Sequence, residues 1–350
     1  MENKNLLSVA VIVVNWENWR DTVECLESVF NIDYENYIVI LVDNFSQDDS
    51  VEKIIEWAEI KKQNKELMYV VYDRKIAEEG GDILLNENLL QRFTGRKMVF
   101  IKNEKNLYYA GGNNVGIKYA QKVGIKNILI LNNDIIVEKD IIKKFILASM
   151  KFERAILGSV IYSYDFKEKI EFSGAKWSHL KGEFVISKDK ILDFKETLYV
   201  SGACIFFPVK LTEEIGFFDE KFFFYDEADL CFRARKSGYK ILVIPDIKVF
   251  HKGSSTFKKK NIPVEYFATK SSFLFSEKHF CPILKCCFFL IFLFKLFRKI
   301  FYYAGITRSV LLRRKKLEEK TIFRRERLKG MILGFKDYIL RRFEYNPYLK

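Results

Sequence analysis

Several features that mark common classes of protein are scarce or missing in this sequence. Proline is rare, with 5 in 350 residues, and no stretch has the composition of a flexible linker, so we expect a folded chain without internal repeats. The six cysteines form no C-x-x-C pair and no Cys/His metal spacing, which indicates reduced, mostly buried thiols. The first apolar run, LLSVAVIVVN, lacks a signal-cleavage pattern and predicts a buried strand, so we expect a cytoplasmic protein.

The net charge of +13 is confined to the last fifth of the chain. Residues 281–350 contain 18 Lys and Arg against 5 Asp and Glu, which leaves 41 residues of each sign before them. Charge segregated in this way predicts two regions with different roles. We therefore divide the chain into a globular domain over residues 1–265 and a basic, hydrophobic helical region over residues 266–350.

Near-continuous apolar runs alternate with helical patterns along the neutral region. Such runs are typical of strands in a mostly parallel sheet with helices on both faces, so we predict a doubly wound α/β fold. Segment 74–96 has no site pattern and is expected to be a surface insertion. The predicted strands are 8–14, 37–42, 67–72, 97–102, 127–131, 155–162 and 240–244, and the predicted helices include 21–31, 48–63 and 114–124.

Small polar residues follow several predicted strands, at the edge where an open α/β sheet binds its ligands. Asp43 and Asn44 follow the second strand, where an Asx turn or a helix cap is the simpler explanation. The segment YYAGGNNVG at 108–116 fits a tight turn with a helix cap. Alternatively, its Gly-Gly turn would let backbone N–H groups approach a diphosphate.

Three carboxylates lie within four residues after the aromatic run FFFY. Asp226, Glu227 and Asp229 precede a helical pattern, so negative charge at a helix N-terminus is one explanation. The other is a general base, because an apolar wall raises the pKa of a carboxylate toward the useful range. His251, one of three histidines, is by itself compatible with an ordinary surface position.

The ordered set of motifs resembles family 2 glycosyltransferases of the GT-A fold, in their rhamnosyltransferase-like branch. The resemblance extends over roughly residues 8–256 and is carried by VIVVNW, IVILVDN, NLYYAGGNNVG, ILILNND, SGACIFFP and the run from FFDEKFFFYDEADL to FHKGSST. It implies sugar transfer from a nucleotide diphosphate to an acceptor hydroxyl, assisted by Mg²⁺ or Mn²⁺. With one base and no protein nucleophile, inversion at the anomeric carbon is expected.

The resemblance also implies roles on the donor side. The triplet 132–134 occupies the place of the D-x-D motif, so Asn132 is expected to contact the ribose and Asp134 to bind the metal together with His251. Asp43 is expected to contact the nucleotide base. The other donor-binding candidates are Val14, Asn15, Asn44, Gly111, Gly112, Asn113 and Asn114.

On the acceptor side, the resemblance implies a general base at the 226–227 position. Glu227 takes the role by position, with Asp226 as the alternative because the Glu-Asp order of the family is reversed here. We also assign Gly202 of the SGAC segment, Asp229 and Arg233 to acceptor binding. The expected partners are a dTDP- or UDP-sugar donor and a glycan or glycolipid acceptor.

The tail contains an apolar stretch that is too short to cross a bilayer. Only nine unbroken apolar residues separate Lys285 from Lys295, against the roughly 20 required. On a helix the lysines and arginines of 285–299 fall within about 140°, which leaves a wide apolar face. We expect peripheral binding to the anionic inner face of the cell membrane, with a helix packed on the globular domain as the alternative.

Two other functions share part of this pattern. A nucleic-acid binder would explain the basic tail but gives the neutral region no role, so we expect no nucleic-acid partner. A sugar-nucleotide nucleotidyltransferase would share the sheet and the metal. It would normally carry a Gly/Lys/Arg-rich loop near the N-terminus, where this chain has NWENWRD.

Overall fold

The computed structural model describes residues 8–86, 89, 95–178, 180–253, 264–313 and 319–343, without the side chains of 303–313 and 319–325. The chain forms two compact units. The sheet unit comprises Met1–Lys176, Ile186–Glu220 and Glu227–Gly253. The tail unit comprises Trp177–Val185, Lys221–Asp226 and Ser254–Lys350. Two short segments from the first 230 residues therefore belong with the tail unit.

The central strands form on apolar runs whose side chains are buried on both faces. All seven runs predicted as strands are strands in the structure, which confirms the predicted α/β fold. In chain order the described strands are β1 (Val9–Asn15), β2 (Tyr37–Asp43), β3 (Leu67–Asp73), β4 (Arg96–Lys102), β5 (Asn127–Asn132), β6 (Ile135–Val137), β7 (Ala155–Ser163), β8 (Ile170–Phe172), β9 (Ala175–Ser178), β10 (Glu183–Ile186), β11 (Lys195–Glu196), β12 (Cys204–Pro208) and β13 (Lys240–His251).

Eleven of the described strands share one mostly parallel sheet, in the order β11-β13-β7-β12-β5-β1-β2-β4-β3, with β6 on β13 and β8 on β7. Strand β1 lies between β2 and β5 and is parallel to both, so the carboxyl ends of these three strands lie at one edge. Strand β12 runs antiparallel to β5 and pairs Cys204 with Leu131, which brings the segment before β12 to the same edge.

The helices cover the sheet and build the tail unit. In chain order the described helices are α1 (Trp19–Phe30), α2 (Ser50–Gln63), α3 (Arg74–Glu78), α4 (Ile83–Asn86), α5 (Tyr108–Lys122), α6 (Ile141–Lys151), α7 (Lys210–Ile215), α8 (Asp226–Lys236), α9 (Val264–His279), α10 (Pro282–Arg313) and α11 (Glu319–Ile339). No helix in the described ranges combines the length and hydrophobicity needed to cross a membrane.

Helix α5 begins six residues earlier than the predicted helix at 114, so the AGGNN segment lies inside the helix and the predicted turn is wrong. The cause is packing. A Cβ placed on Gly112 would lie 2.9 Å from Val14 Cγ1, and one on Gly116 would lie 2.8 Å from Ile12 Cγ2. A Cβ on Gly111 would lie 2.7 Å from Leu107 Cβ. Gly112 and Gly116 therefore let α5 approach β1 closely.

The predicted surface insertion 74–96 is partly packed rather than wholly exposed. It contains α3 and α4, and Asn86 at the end of α4 is buried. The Asn86 side-chain oxygen accepts hydrogen bonds from Tyr72 Oη at 3.1 Å and Tyr119 Oη at 2.7 Å. These bonds attach the segment to β3 and α5, while residues 87–88 and 90–94 lie outside the described residues.

The tail unit is built around aromatic side chains. Phe273 of α9, Phe288 and Phe292 of α10 and Met331 of α11 form its buried cluster. A buried hydrogen bond of 2.7 Å from Tyr266 Oη to Asp337 adds a polar link between α9 and α11. These three helices therefore share a core of their own.

The six cysteines divide equally between two environments. Cys25, Cys204 and Cys231 are buried in the sheet unit, whereas the cysteines of the tail, at 281, 286 and 287, are exposed. All six are free cysteines in the structure, and the expectation that most are buried is wrong, since three are exposed. The tail cysteines lie on the parts of the chain that the aromatic cluster leaves uncovered.

Candidate functional site

The polar residues that end β1 and β2 form a connected hydrogen-bond network. Asn15 pairs with Asp43 in the strand register, and Asn15 Nδ2 donates to Asp43 Oδ1 at 2.7 Å. The backbone N–H of Ser46 donates to Asp43 Oδ2 at 3.0 Å, and the Ser46 hydroxyl donates to Oδ1 at 2.6 Å. These bonds hold a buried carboxylate in one orientation at the carboxyl edge of the sheet.

The network continues through α1 to the end of β5. Thr22 Oγ1 donates to Asn15 Oδ1 at 2.7 Å, and Asn133 Nδ2 donates to Thr22 Oγ1 at 2.9 Å. The buried Thr22 thus connects the ends of the first two strands to the 132–134 triplet. Sequence reasoning did not identify Thr22 or Ser46, because a single hydroxyl within a helix or turn carries no pattern of its own.

The Asn44 side chain forms hydrogen bonds with residues 103–108, the loop that leads into α5. Its Nδ2 donates to Asn106 Oδ1 and to the Tyr108 carbonyl, both at 2.9 Å. Its Oδ1 accepts from Asn103 Nδ2 and from the Leu107 N–H, both at 3.0 Å. Asn44 is predicted to bind the donor, and in the structure its side chain positions this loop.

The two asparagines of α5 have different surroundings. Asn114 Nδ2 donates to the Phe218 carbonyl at 3.0 Å and to Glu220 Oε1 at 2.9 Å, and Asn114 Oδ1 accepts from the Phe218 N–H. Asn113 Nδ2 donates to the Tyr109 carbonyl at 2.9 Å. The buried Oδ1 of Asn113 has no hydrogen-bond partner among the described atoms, so it is available to a ligand.

The structure brings Asp134 and His251 together. Strand β13 pairs antiparallel with β6 and places His251 opposite Ile135, beside Asp134. His251 Nε2 lies 3.3 Å from Asp134 Oδ2. On its other side His251 Nδ1 lies 3.3 Å from Glu171 Oε2, a residue of β8 that no sequence motif marked. The two residues predicted to share a cation are therefore direct neighbours.

Charge and hydrogen bonding both act on the His251 imidazole. Burial favours its neutral form, but the carboxylates of Asp134 and Glu171 outweigh this and raise the pKa of His251 above its ordinary value. When the neutral ring donates Nδ1–H to Glu171, the Nε2 lone pair faces Asp134. That arrangement presents one carboxylate and one imidazole nitrogen to a common point.

The donor set is compatible with a divalent cation whose remaining ligands come from elsewhere. Over the described residues no group of three or more His, Cys, Asp or Glu side chains forms a metal site by itself. Mg²⁺ and Mn²⁺ accept carboxylate oxygen and imidazole nitrogen, and they commonly keep positions for water and phosphate oxygens. Asp134 and His251 fit that incomplete protein shell.

Lys252 fixes the chain next to this pair. Its backbone N–H donates to the Asp134 carbonyl at 3.1 Å, and its ammonium binds Asp21 at 2.9 Å and also Glu24. Burial opposes the charged form, but the two carboxylates raise the pKa of Lys252. These contacts tie the residue after His251 to α1, so the end of β13 is anchored on two elements.

The SGAC segment lies against the end of β5. The Asn132 N–H donates to the Ala203 carbonyl at 3.1 Å, and Tyr109 Oη donates to the Gly202 carbonyl at 2.6 Å. A Cβ on Gly202 would lie 3.0 Å from Tyr109 Oη, which explains glycine at this position. Gly202 and Asn132 are thus near neighbours at the site edge.

The acidic cluster on α8 contains carboxylates in three environments. Asp229 is buried and accepts from Arg233 Nε at 2.8 Å, and Arg233 also donates to backbone carbonyls of residues 215–217. Both residues are predicted to bind the acceptor, and in the structure their contacts hold the backbone of segment 215–217 in place. Asp226 is buried and belongs to the tail unit, whereas Glu227 is half-buried and belongs to the sheet unit that contains Asp134.

A family comparison and two curated relatives all point to glycosyltransferases. The family described as "Glycosyltransferase like family 2" matches residues 7–262. The chain is similar to the dTDP-rhamnosyl transferase RfbF of Shigella flexneri, with 25% identity over 184 residues that cover 50% of this chain and 62% of the relative. It is also similar to the low-salt glycan biosynthesis hexosyltransferase Agl10 of Haloferax volcanii, with 26% identity over 147 residues, 41% of this chain and 48% of that protein. The matches therefore span less than two thirds of either curated relative.

Two solved structures share the fold. The mannosyltransferase PcManGT from Pyrobaculum calidifontis, in complex with GDP-Man and Mn²⁺, gives a TM-score of 0.55 at 12% identity, over 95% of this chain and 87% of that chain. GalNAc-T7 with UDP, GalNAc and Mn²⁺ gives a TM-score of 0.52 at 16% identity, over 71% of this chain and 44% of that chain. At such identities the likeness concerns the fold alone, and it confirms the predicted GT-A fold.

Proposed function

The chain belongs to the glycosyltransferase-like family 2, and from this premise we propose that it is a metal-assisted, inverting glycosyltransferase. It moves a sugar from a nucleotide-diphosphate sugar to a hydroxyl of a glycan or lipid-linked saccharide. A dTDP- or UDP-sugar is the proposed donor. The rhamnosyl transferase among the relatives is named for a dTDP-sugar, and one structural neighbour was solved with UDP.

The observation that carries this proposal is the separation of 3.3 Å between Asp134 Oδ2 and His251 Nε2. These two side chains would hold Mg²⁺ or Mn²⁺. When bound, the cation stabilises the negative charge that develops on the leaving diphosphate. Glu171 holds the His251 ring with its Nε2 toward Asp134, so the two ligands need little rearrangement.

The donor nucleotide is oriented by the polar edge of the sheet. The carboxylate of Asp43, held by Asn15 and Ser46, is suited to accept hydrogen bonds from N–H groups of the base. Asn132, at the end of β5, is proposed to bond a ribose hydroxyl. The side-chain oxygen of Asn113 supplies a further acceptor from α5.

Glu227 is the proposed general base. It removes the proton from the acceptor hydroxyl as the oxygen attacks the anomeric carbon, and the diphosphate leaves from the opposite side. A single displacement of this kind inverts the configuration. Asp226, the preceding residue, is the alternative base because a shift of about 1 Å in reach decides such roles.

The tail unit is proposed to bind a cytoplasmic membrane surface peripherally. Helix α10 exposes large apolar side chains, including Ile283, Phe294 and Phe301, beside the exposed Arg298. Such a surface suits the boundary between headgroups and acyl chains, and basic residues add attraction to anionic lipid. Anionic vesicles should sediment the protein at low salt and release it at high salt. Equal sedimentation with neutral vesicles would contradict the electrostatic part.

Donor binding tests the core of the proposal. UDP-, dTDP- and GDP-sugars are titrated into the full-length protein with and without Mn²⁺, and the experiment is repeated with Asp134→Ala and with the exposed control Asp33→Ala. We expect Mn²⁺ to strengthen binding of one donor class in the wild type and in the control, but not in Asp134→Ala. If every donor binds equally well with and without Mn²⁺, and equally well to Asp134→Ala, the metal-assisted mechanism is overturned.

A further inference from the structure

The tail unit contains an open groove of about 190 Å³ whose lining includes none of the residues assigned to the donor, the metal or the general base. Phe288 and Phe292 of α10 supply its apolar floor. Lys181, Lys295 and Lys299 lie around it. An apolar floor below several ammonium groups matches a ligand that is anionic at one end and apolar along its length.

The carboxylates that line the groove are already paired. Glu183 forms an ion pair of 2.9 Å with Lys295, and Glu265 forms an ion pair with Arg327 of α11. These pairs cancel the negative charge at the rim. Lys181 and Lys299 therefore remain as positive charge within the groove that no described carboxylate neutralises through an ion pair.

Lys299 is the better placed of these two lysines. Its side chain is half-buried, and among the described side chains its ammonium finds one hydrogen-bond acceptor, Met331 Sδ at 2.9 Å. A thioether is a weak acceptor. Burial lowers the pKa of Lys299, and the nearby cations Arg327, Lys295 and Arg298 lower it further, although the carboxylate of Glu265 acts in the opposite direction. An anion in the groove would accept hydrogen bonds from the Lys299 ammonium and would reduce its repulsion from the neighbouring cations.

We propose that this groove binds the phosphate headgroup of a lipid. The phosphate oxygens pair with Lys299 and Lys181, and the first part of the lipid chain lies on Phe288 and Phe292. The identification of this lipid as the carrier of the acceptor saccharide rests on the proposed function.

A soluble phosphorylated lipid tests the groove without a bilayer. Farnesyl diphosphate, farnesol and inorganic diphosphate are titrated into full-length protein by calorimetry. The variants are Lys299→Gln and the matched control Arg298→Gln, its neighbour on α10, which is exposed and does not line the groove. We expect farnesyl diphosphate to bind at least about tenfold more tightly than either fragment. Lys299→Gln should weaken it by about tenfold or more, while Arg298→Gln should not.

Three results would overturn the proposal. Farnesol binding as tightly as farnesyl diphosphate would remove the phosphate from the recognition. Inorganic diphosphate binding as tightly would identify an anion site with no role for the lipid chain. Equal weakening by Lys299→Gln and Arg298→Gln would indicate attraction to the basic surface as a whole.

Donor titrations on the same variants separate this inference from the proposed function. Lys299→Gln is expected to bind the nucleotide sugar with Mn²⁺ as the wild type does. Normal donor binding combined with equal lipid binding by the two variants would reject the groove and leave the proposed function standing. Absent donor binding with Lys299-dependent lipid binding would reject the proposed function and support the groove as a lipid-phosphate site.

Discussion

The sheet unit and the tail unit satisfy their polar groups in opposite ways. At the sheet edge, Asp43, Asn15 and Thr22 bond to one another, and each has a defined partner and direction. In the tail unit the rings of the core make edge-to-face and tilted contacts, and the ammonium of a half-buried lysine donates to a thioether sulfur. The first arrangement suits a small ligand with fixed hydrogen-bond geometry, whereas the second suits an anionic apolar surface or lipid whose position is less directional.

Removing the proposed base should have the largest effect and should fall on transfer alone. Glu227→Gln is expected to reduce the rate of sugar transfer by about 10²–10⁴-fold, since the side chain can no longer accept the acceptor proton. Donor binding with Mn²⁺ should stay within about twofold, because the amide keeps the size of the side chain. The comparison variant is Asp226→Asn, and a larger rate loss in that variant would transfer the role of base to Asp226.

A core truncation in the tail tests whether the two units are energetically separate. Four of the rings packed around Phe273 have centroids 5.1, 4.8, 4.7 and 5.2 Å from its own; they belong to Phe288, Phe292, Phe335 and Tyr338. Phe273→Ala should therefore destabilise the tail unit by about 3–5 kcal/mol. Hydrogen exchange of peptides from α9 to α11 measures this change.

The control for that truncation is Phe301→Ala on the exposed part of α10, which should change stability by less than about 0.5 kcal/mol. Donor binding by the sheet unit should be unchanged in both variants. A parallel loss of donor binding in Phe273→Ala would break the separation between the two units.

Glu171→Gln sharpens the description of the sheet edge. The Glu171 carboxylate lies 3.3 Å from His251 Nδ1 and orients the ring. Its replacement should therefore weaken Mn²⁺ binding by about 10–100-fold, although Asp134 and His251 are unchanged. Electron paramagnetic resonance of Mn²⁺ measures this without any turnover. Glu168→Gln, in the exposed loop before β8, is the matched control, and equal affinities of the two variants would leave Glu171 without a positioning role.

The smallest expected effect is a pH dependence in the tail. Burial lowers the pKa of Lys270 to about 8, even though Asp337 acts in the opposite direction. Between this value and the unfolded value of about 10.4, the unfolded chain binds more protons than the folded one, so stability should rise with pH. The rise from pH 7 to 9 should be about 1 kcal/mol. Denaturant unfolding of Lys270→Met should lack it, whereas an identical rise in that variant would assign the effect elsewhere.

The sequence predicts most of the sheet because strands that are buried on both faces require near-continuous apolar runs. The apolar runs at 8–14 and 37–42 correspond to β1 and β2, and the polar residues Asn15 and Asp43 lie at the carboxyl ends of these strands, as expected. It also predicts the partnership of Asp134 and His251, although only through the family resemblance. No spacing rule joins two residues that are brought together by β6 pairing with β13.

Other features depend on contacts that leave no local signal. Glu171 reaches His251 only because β8 pairs with β7, which pairs with β13. Gly112 has a sequence context that equally fits a turn or a helix, and the close approach to Val14 decides between them. The membership of residues 177–185 in the tail unit depends on aromatic contacts such as the one between Trp177 and Phe280. Such long-range packing is invisible to periodicity.

The unequal burial of the thiols has a practical consequence. Burial raises the pKa of Cys25, Cys204 and Cys231 to about 12, so these three stay protonated and shielded from solvent. A maleimide reagent added to the native chain should consequently attach to Cys281, Cys286 and Cys287 alone. An environment-sensitive dye introduced in this way would report on the tail unit without any engineered substitution.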